Sequence, residues 1–439
     1  MPDQGPHVVQ ILTDQQQAAA LGAVNDSYHT PNLDRLADSG TLFTNCYTTH
    51  PQCSPARSSL VTGQFPHQTG VYTLPYWGGY PLDPESHSVG REFDEAGWDT
   101  VWTGKWHLGG DNLEPLGWES LPAAPDEPGD EDVNSRVGGD RRVADRAVHY
   151  LRDHDHDEPF FLTASFRLPH PAYLEADDVA DHYDEDEVPV PENFDSDLGD
   201  RPDYLAERAA ELDLSEDDAR ELQYQYRTMV SQVDAYVGDI LDELEAQGVR
   251  EETVILFASD HGDMTGAHGI SHKGSIPFEE ILRVPLLVDV PEGVDAGPRA
   301  GGTVEDLVSL AAVPGTLLDA AGLDVDPAFE GGSLLDVTRR DAPPETDRVF
   351  FEHKYARWGH HPYRAVREDD WKYVQHLGEN DGEEELYDLD ADPGERENLA
   401  GDPDQAERLA RLRGVVDGWW EATGGDVRDW VESPIPDDD

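Results

Sequence analysis

Short apolar runs that end in polar residues alternate along the chain with longer stretches whose apolar residues recur at helical spacing. Val8 to Thr13 is such a run, ending at Asp14, and it predicts a buried parallel strand whose C-terminal end presents polar groups. Thr30-Pro31-Asn32-Leu33 predicts a helix with Thr30 as cap and proline in its first turn, closed by Gly40. Further strands are expected at Thr41 to Tyr47, Asp99 to Thr103, Pro159 to Phe166, Thr253 to Ser259 and Val284 to Val290. Ser54-Pro55-Ala56-Arg57 opens a helix with Leu60 and Val61 on its buried side and Gly63 past its end, so Cys53 should sit at that helix's N-terminus. The longest helix, Ser215 to Gln247, starts with a capping-box pair, Ser215 and Asp218.

Strands alternating with helices specify an α/β fold, a large mainly parallel sheet flanked by helices, with polar site residues at the C-terminal strand ends. Residues 174–203, rich in Pro and Asp, predict a surface excursion. The texture changes after about Pro343. Short strands at Val349 to Glu352, Tyr363 to Arg367, Trp371 to Gln375 and Glu385 to Leu389, then a helix from Asp404 to Ala422, predict a small C-terminal α+β subdomain. The expected division is 1–343 for the main domain and 344–439 for the subdomain, whose last residues, Pro434 to Asp439, form a frayed acidic tail.

Charge sharpens this picture. The 439 residues include 94 acidic and 31 basic side chains, a net charge of −63 spread through every segment. Such a coat keeps a protein soluble where salt is near saturation, so a halophilic protein of archaeal origin is expected. Nucleic acid is excluded as a partner by the same field. No run approaches the ~18 apolar residues of a membrane span, and the start carries neither a basic region nor a long apolar stretch. A soluble cytoplasmic protein is the expectation.

Only two cysteines are present, Cys46 and Cys53, and a disulfide is not expected in a reducing compartment. Cys53-Ser54-Pro55-Ala56-Arg57-Ser58-Ser59-Leu60-Val61-Thr62-Gly63 resembles the signature of the type I, formylglycine-dependent sulfatases of the alkaline-phosphatase-like superfamily. In that family the cysteine of a C-x-P-x-R core is oxidised to an aldehyde by a dedicated maturation enzyme. Ala56 stands where serine is more usual. Thr30-Pro31-Asn32-Leu33-Asp34, Gly104-Lys105-Trp106-His107-Leu108-Gly109, Ser259-Asp260-His261-Gly262-Asp263, Lys273-Gly274, Arg283-Val284-Pro285 and Glu385-Leu386-Tyr387-Asp388-Leu389 resemble further family motifs in the family's order.

Asp14-Gln15 and Asp260-His261, each after a strand, can together make one metal site. Carboxylate and amide oxygens suit a hard cation, and the resemblance implies calcium; the His261 nitrogen leaves manganese or magnesium open. The four lysines add a separate argument, because Lys105 and Lys273 fall inside the motifs and a compact ammonium suits a sulfate pocket. Lys354 and Lys372 are expected at the surface. His107 and His170 are the candidate proton carriers, and Arg57, one turn after Cys53, is expected to hold the aldehyde hydrate. The resemblance implies attack of one hydrate hydroxyl on sulfur while His170 and Lys273 support the leaving alkoxide. His107 then takes the proton of the second hydroxyl, and the aldehyde re-forms with loss of sulfate. The implied partners are a sulfated small molecule or sugar and the maturation enzyme. The rival readings are a phosphonate or phosphate ester hydrolase of the same superfamily, and a silent binder of sulfated ligands in which Cys53 stays a thiol.

Overall fold

The computed structural model describes residues 5–110, 112–123, 139–176, 178–297, 301–343, 347–355 and 359–426. Among the described residues, eleven strands precede residue 343: β1 (His7–Asp14), β2 (Thr41–Phe43), β3 (Cys46–Tyr47), β4 (Asp99–Gly104), β5 (Glu119–Ser120), β6 (Phe160–Pro169), β7 (Thr253–Ser259), β8 (Arg283–Val284), β9 (Leu286–Asp289), β10 (Gly302–Val304) and β11 (Val308–Ser309). Eight of them form one sheet in the order β10-β2-β9-β7-β1-β6-β4-β5. All its pairings are parallel except those of β9. Along β1 the side chains alternate: Val8 and Leu12 join one core cluster, Val9 and Ile11 the other. The continuous apolar run is therefore a strand buried on both faces. Val254, Leu256 and Ala258 on β7 repeat the division against Ile255 and Phe257.

Four antiparallel strands, β12 (Arg348–His353), β13 (Tyr363–Glu368), β14 (Trp371–His376) and β15 (Glu384–Asp388), make a second sheet covered by the Ala406–Ala422 helix. The expected acidic tail lies outside the described residues. Buried ties fasten this sheet to the rest: His67 Nδ1 pairs with Glu352 at 2.7 Å, and Lys372 Nζ donates to Pro277 O at 2.7 Å and pairs with Glu279 and Glu395.

Several expectations need correction. Thr41 to Tyr47 is not one strand, since the chain leaves the main sheet after Phe43 and β3 joins a separate three-stranded sheet with β8 and β11. Val284 to Val290 likewise splits at Pro285, which has no N–H for the ladder, and β9 runs antiparallel to β7. Thr30 makes no cap bond to the helix α1 (Pro31–Ser39); Asp234, from the Glu216–Gln247 helix, accepts from Asn32 N and Leu33 N in its place. In α2 (Cys53–Thr62) all ten residues are buried, not one side alone. Residues 174–203 do run over the surface, but Asn193 and Arg201 are buried anchors within them. Lys354 and Lys372, expected at the surface, are 2% and 0% exposed. Among the described residues no helix is long and apolar enough to cross a membrane.

Candidate active site

Parallel strands β1, β7, β6 and β4 end on the same side of the sheet, and residues at or just past those four ends converge there. Asp14 closes β1, Asp260 and His261 come directly after β7, His170 after β6, and Lys105 and His107 after β4. Gly104 positions Lys105: its φ is +92°, and a Cβ there would collide with the Ser165 carbonyl of β6. Gln15, His107 and His272 also adopt left-handed φ values of 76°, 65° and 66°. Such backbone conformations are costly for non-glycine residues and cluster at sites that need unusual side-chain aim.

Cys53 is the first residue of α2, where unpaired backbone N–H groups and the helix dipole favour an anion. Its Sγ receives a hydrogen bond from Lys273 Nζ at 2.9 Å and lies 3.3 Å from His261 Nε2 and 3.5 Å from Asp14 Oδ1. Burial and Asp14 would raise the thiol, yet Lys105, Lys273 and His261 bring it well below the ordinary thiol value. Burial would likewise raise the Asp14 carboxyl, but Lys105, then His170, Lys273 and His261, hold it well below the usual carboxylate range.

The two carboxylates are shared in the same way. Asp14 Oδ2 accepts from Lys105 Nζ and Asp260 Oδ2 accepts from Arg57 Nε at 2.7 Å, so each acid keeps Oδ1 toward the centre. Oδ1 of both acids lies 3.6 Å from His261 Nε2, whose other nitrogen, Nδ1, is 2.8 Å from Gly262 O. With Nδ1–H donating to that carbonyl, Nε2 keeps its lone pair. Asp14, Cys53, Asp260 and His261 are all buried, with one ligand atom of each within 4.8 Å of the others. Two carboxylate oxygens and one imidazole nitrogen fit a divalent cation.

Every residue singled out from the sequence is in this cluster, with one change of partner. Arg57 makes no hydrogen bond to Cys53; Nη1 donates to Lys105 O at 2.9 Å and to Ser165 Oγ at 2.8 Å, while the buried Nη2 has no partner. Burial followed by Lys105 lowers the pKa of His107, against the opposing pull of Cys53 and Asp14. His170 is pushed down to about 3 by burial and then by Lys273. Its Nδ1 lies 2.7 Å from Pro171 O, which leaves Nε2 of the neutral ring bare.

Asp263, His50 and Tyr173 went unrecognised as parts of the site. Asp263 Oδ2 accepts from Gln15 Nε2 at 2.5 Å and from the Tyr173 hydroxyl at 2.6 Å. Because the amide N–H side is held there, Gln15 Oε1 turns to Lys273 Nζ at 2.7 Å. Its place in the motif was the only signal, since one more acid in so acidic a chain carries none. His50, fully buried, accepts from Gln52 N at 3.1 Å and braces the turn into α2.

The sulfatase family profile matches residues 6–323, the segment that carries all these side chains. The chain belongs to the sulfatase family. It is accordingly a sulfuric ester hydrolase on an alkaline-phosphatase-like fold. A second profile, the C-terminal part of N-sulphoglucosamine sulphohydrolase, matches residues 266–418. Among sulfatases, the choline-sulfatase of Rhizobium meliloti is 31% identical, over 96% of this chain and 88% of its own. The solved structure of a 2-O GAG sulfatase is 26% identical with TM-score 0.80, covering 97% of this chain and 94% of that one. The fold is shared further, with the phosphonate monoester hydrolase of Agrobacterium radiobacter, at TM-score 0.75 and 22% identity over 95% and 96% of the two chains.

Proposed function

We propose that this sulfatase hydrolyses sulfate esters through a formylglycine made from Cys53 by a maturation enzyme, on a domain comprising residues 1–343 with 344–439 as its subdomain. The observation that carries the reading is Cys53 at the α2 N-terminus, 2.9 Å from Lys273 Nζ and facing Asp14 and His261. As its hydrate, the modified residue supplies two hydroxyls on one carbon, one to attack sulfur and one to release sulfate by re-forming the aldehyde. Asp14, Gln15, Asp260, His261 and residue 53 would hold the divalent ion, calcium with manganese or magnesium as alternatives, which supplies charge to polarise the sulfate and acidify the attacking hydroxyl.

The remaining side chains bind, orient and move protons. Lys105, Lys273 and the unpartnered Nη2 of Arg57 offer cations for the sulfate oxygens. His107, kept neutral, is suited to accept the proton of the second hydroxyl. His170 is neutral before substrate arrives, and a bound sulfate anion favours its protonated form, which then gives the proton to the leaving oxygen beside Lys273. A sulfated sugar or small molecule is the substrate class, by analogy with the choline-sulfatase and the 2-O GAG sulfatase. The acidic coat is an adaptation to high salt, in a cytoplasmic setting.

Peptide mass spectrometry of Leu36 to Arg57 in active native protein should show aldehyde in place of thiol at residue 53; thiol alone would overturn the nucleophile. A chelator should abolish turnover and calcium restore it, and full activity of metal-free protein would refute the metal site. The fold shared with a phosphonate monoester hydrolase favours one second reading, hydrolysis of phosphonate esters. A higher kcat/KM on aryl phosphonate than on aryl sulfate would install it.

A further inference from the structure

At the opposite end of β1 from Asp14, three histidine rings pack around the start of the sheet. His7 opens β1, while His154 and His156 lie in the turn between the Gly139–Asp153 helix and β6. β1 has 8 residues, so about 23 Å of strand separates His7 from Asp14. Ring centroids are 5.4 Å apart for His154 and His156, 5.7 Å for His7 and His156, and 6.5 Å for His7 and His154. Both ring nitrogens of His7, both of His156 and Nδ1 of His154 are buried without a hydrogen-bond partner, and His7 is 0% exposed. Buried polar atoms are nearly always satisfied, and several unsatisfied ones in a single cluster point to a missing ion or water.

The surroundings favour an ion. His154 Nε2 faces Asp99 Oδ2 at 3.5 Å, and the Tyr150 hydroxyl donates to that same oxygen at 2.8 Å. A carboxylate behind an imidazole, itself oriented by a donor, is the outer-shell arrangement that aims a histidine at a metal. Asp155 and Glu158 add negative potential at His154, and Glu252 at His7.

We propose that His7, His154 and His156 form a second metal site, for a divalent transition ion of the zinc type, independent of the active centre. Three imidazoles and a water complete a tetrahedral shell, and bonds of about 2.0–2.1 Å place ring centroids about 5 Å apart. The His7–His154 pair therefore closes by about 1.5 Å, and the other two by less. A swing of the His154 and His156 side chains about their Cα–Cβ bonds would supply this movement, while His7 stays stacked on Phe160 at 4.3 Å. An all-nitrogen donor set discriminates against calcium and magnesium, which separates this site from the carboxylate-rich one. The ion would pin the end of the Gly139–Asp153 helix to the first strand.

Zn²⁺ alone is titrated calorimetrically into the full-length C53A/D260N protein, which lacks the first site, with molar KCl and excess Mg²⁺ occupying surface carboxylates. One tight equivalent is expected, weakened at least tenfold by His156→Gln and by on the order of ten- to a hundredfold by Asp99→Asn. Co²⁺ in the same protein should give the intense visible absorption of a tetrahedral ion, absent in His156→Gln. An unchanged thermal midpoint of metal-free His156→Gln shows that the turn still folds, and His7→Phe, which keeps the stack on Phe160, serves as the second variant. Absence of a tight equivalent in the parent, or one that survives both His156→Gln and His7→Phe, overturns the site.

Discussion

Replacing Arg57 by Met keeps most of the side chain's length and removes its charge, and this tests how the active centre is held together in the absence of metal. Arg57 and Asp260 form an ion pair with side chains 2% and 0% exposed. Removing one partner of such a pair leaves an uncompensated buried charge, at a cost of about 3–5 kcal/mol. Lys105 O and Ser165 Oγ also lose a donor, each worth about 1 kcal/mol. A total of about 5–7 kcal/mol compares with a whole-protein stability of roughly 5–15 kcal/mol. Adding Asp260→Asn removes the stranded charge while its Oδ1 still accepts from Gln15 N at 3.2 Å and His261 N at 2.9 Å. The double variant should therefore be more stable than Arg57→Met alone, with a coupling of about 1–3 kcal/mol. Urea unfolding in chelator at fixed molar KCl, followed by tryptophan fluorescence, provides the free energies. If Arg57→Met lies within about 1 kcal/mol of the parent, or the two substitutions simply add, the pair does not organise the site.

Asp263→Asn should lower kcat on the order of tenfold while leaving the thermal midpoint nearly unchanged, because the Gln15 amide can then flip away from Lys273; unaltered turnover would refute that role. His67 gains Glu352 against the penalty of burial, which raises its pKa. Its contribution is fully present below the unfolded value of about 6.5 and is lost as pH rises through the raised folded value. The stability gap between parent and His67→Gln should accordingly narrow with rising pH, and a gap that widens contradicts the assignment. Finally, the unfolding midpoint should climb from 0.1 M to molar KCl at fixed trace calcium, as the Debye length shrinks from ~10 Å to ~3 Å around a net charge of −63. A flat or falling midpoint would show that the coat is not a salt adaptation.

Strands β1 and β7 were legible because each is an apolar run closed by an acid, and those acids gave the site. Cys53, Lys105 and Lys273 were legible from local motifs, which survive any arrangement of the remaining chain. What was hidden depends on distant partners. Asp234 caps a helix about two hundred residues away in sequence, and no local pattern announces that. Lys372 looked like a surface residue until Glu279, Glu395 and the Pro277 carbonyl enclosed it. The split at Pro285 was the exception, since proline's missing N–H was in plain view within an otherwise strand-like run.

The placement of the lysines has a practical corollary. Lys273, Lys354 and Lys372 are buried, and the Lys105 side chain is 8% exposed and engaged by Asp14. The folded surface thus offers no free lysine amine to acylating dyes, amine-to-amine crosslinkers or lysine-specific proteases. Treatment with such a reagent turns into a readout of opening: lysine modification should stay silent while the native state persists and rise in step with the fraction of molecules whose interior has been breached.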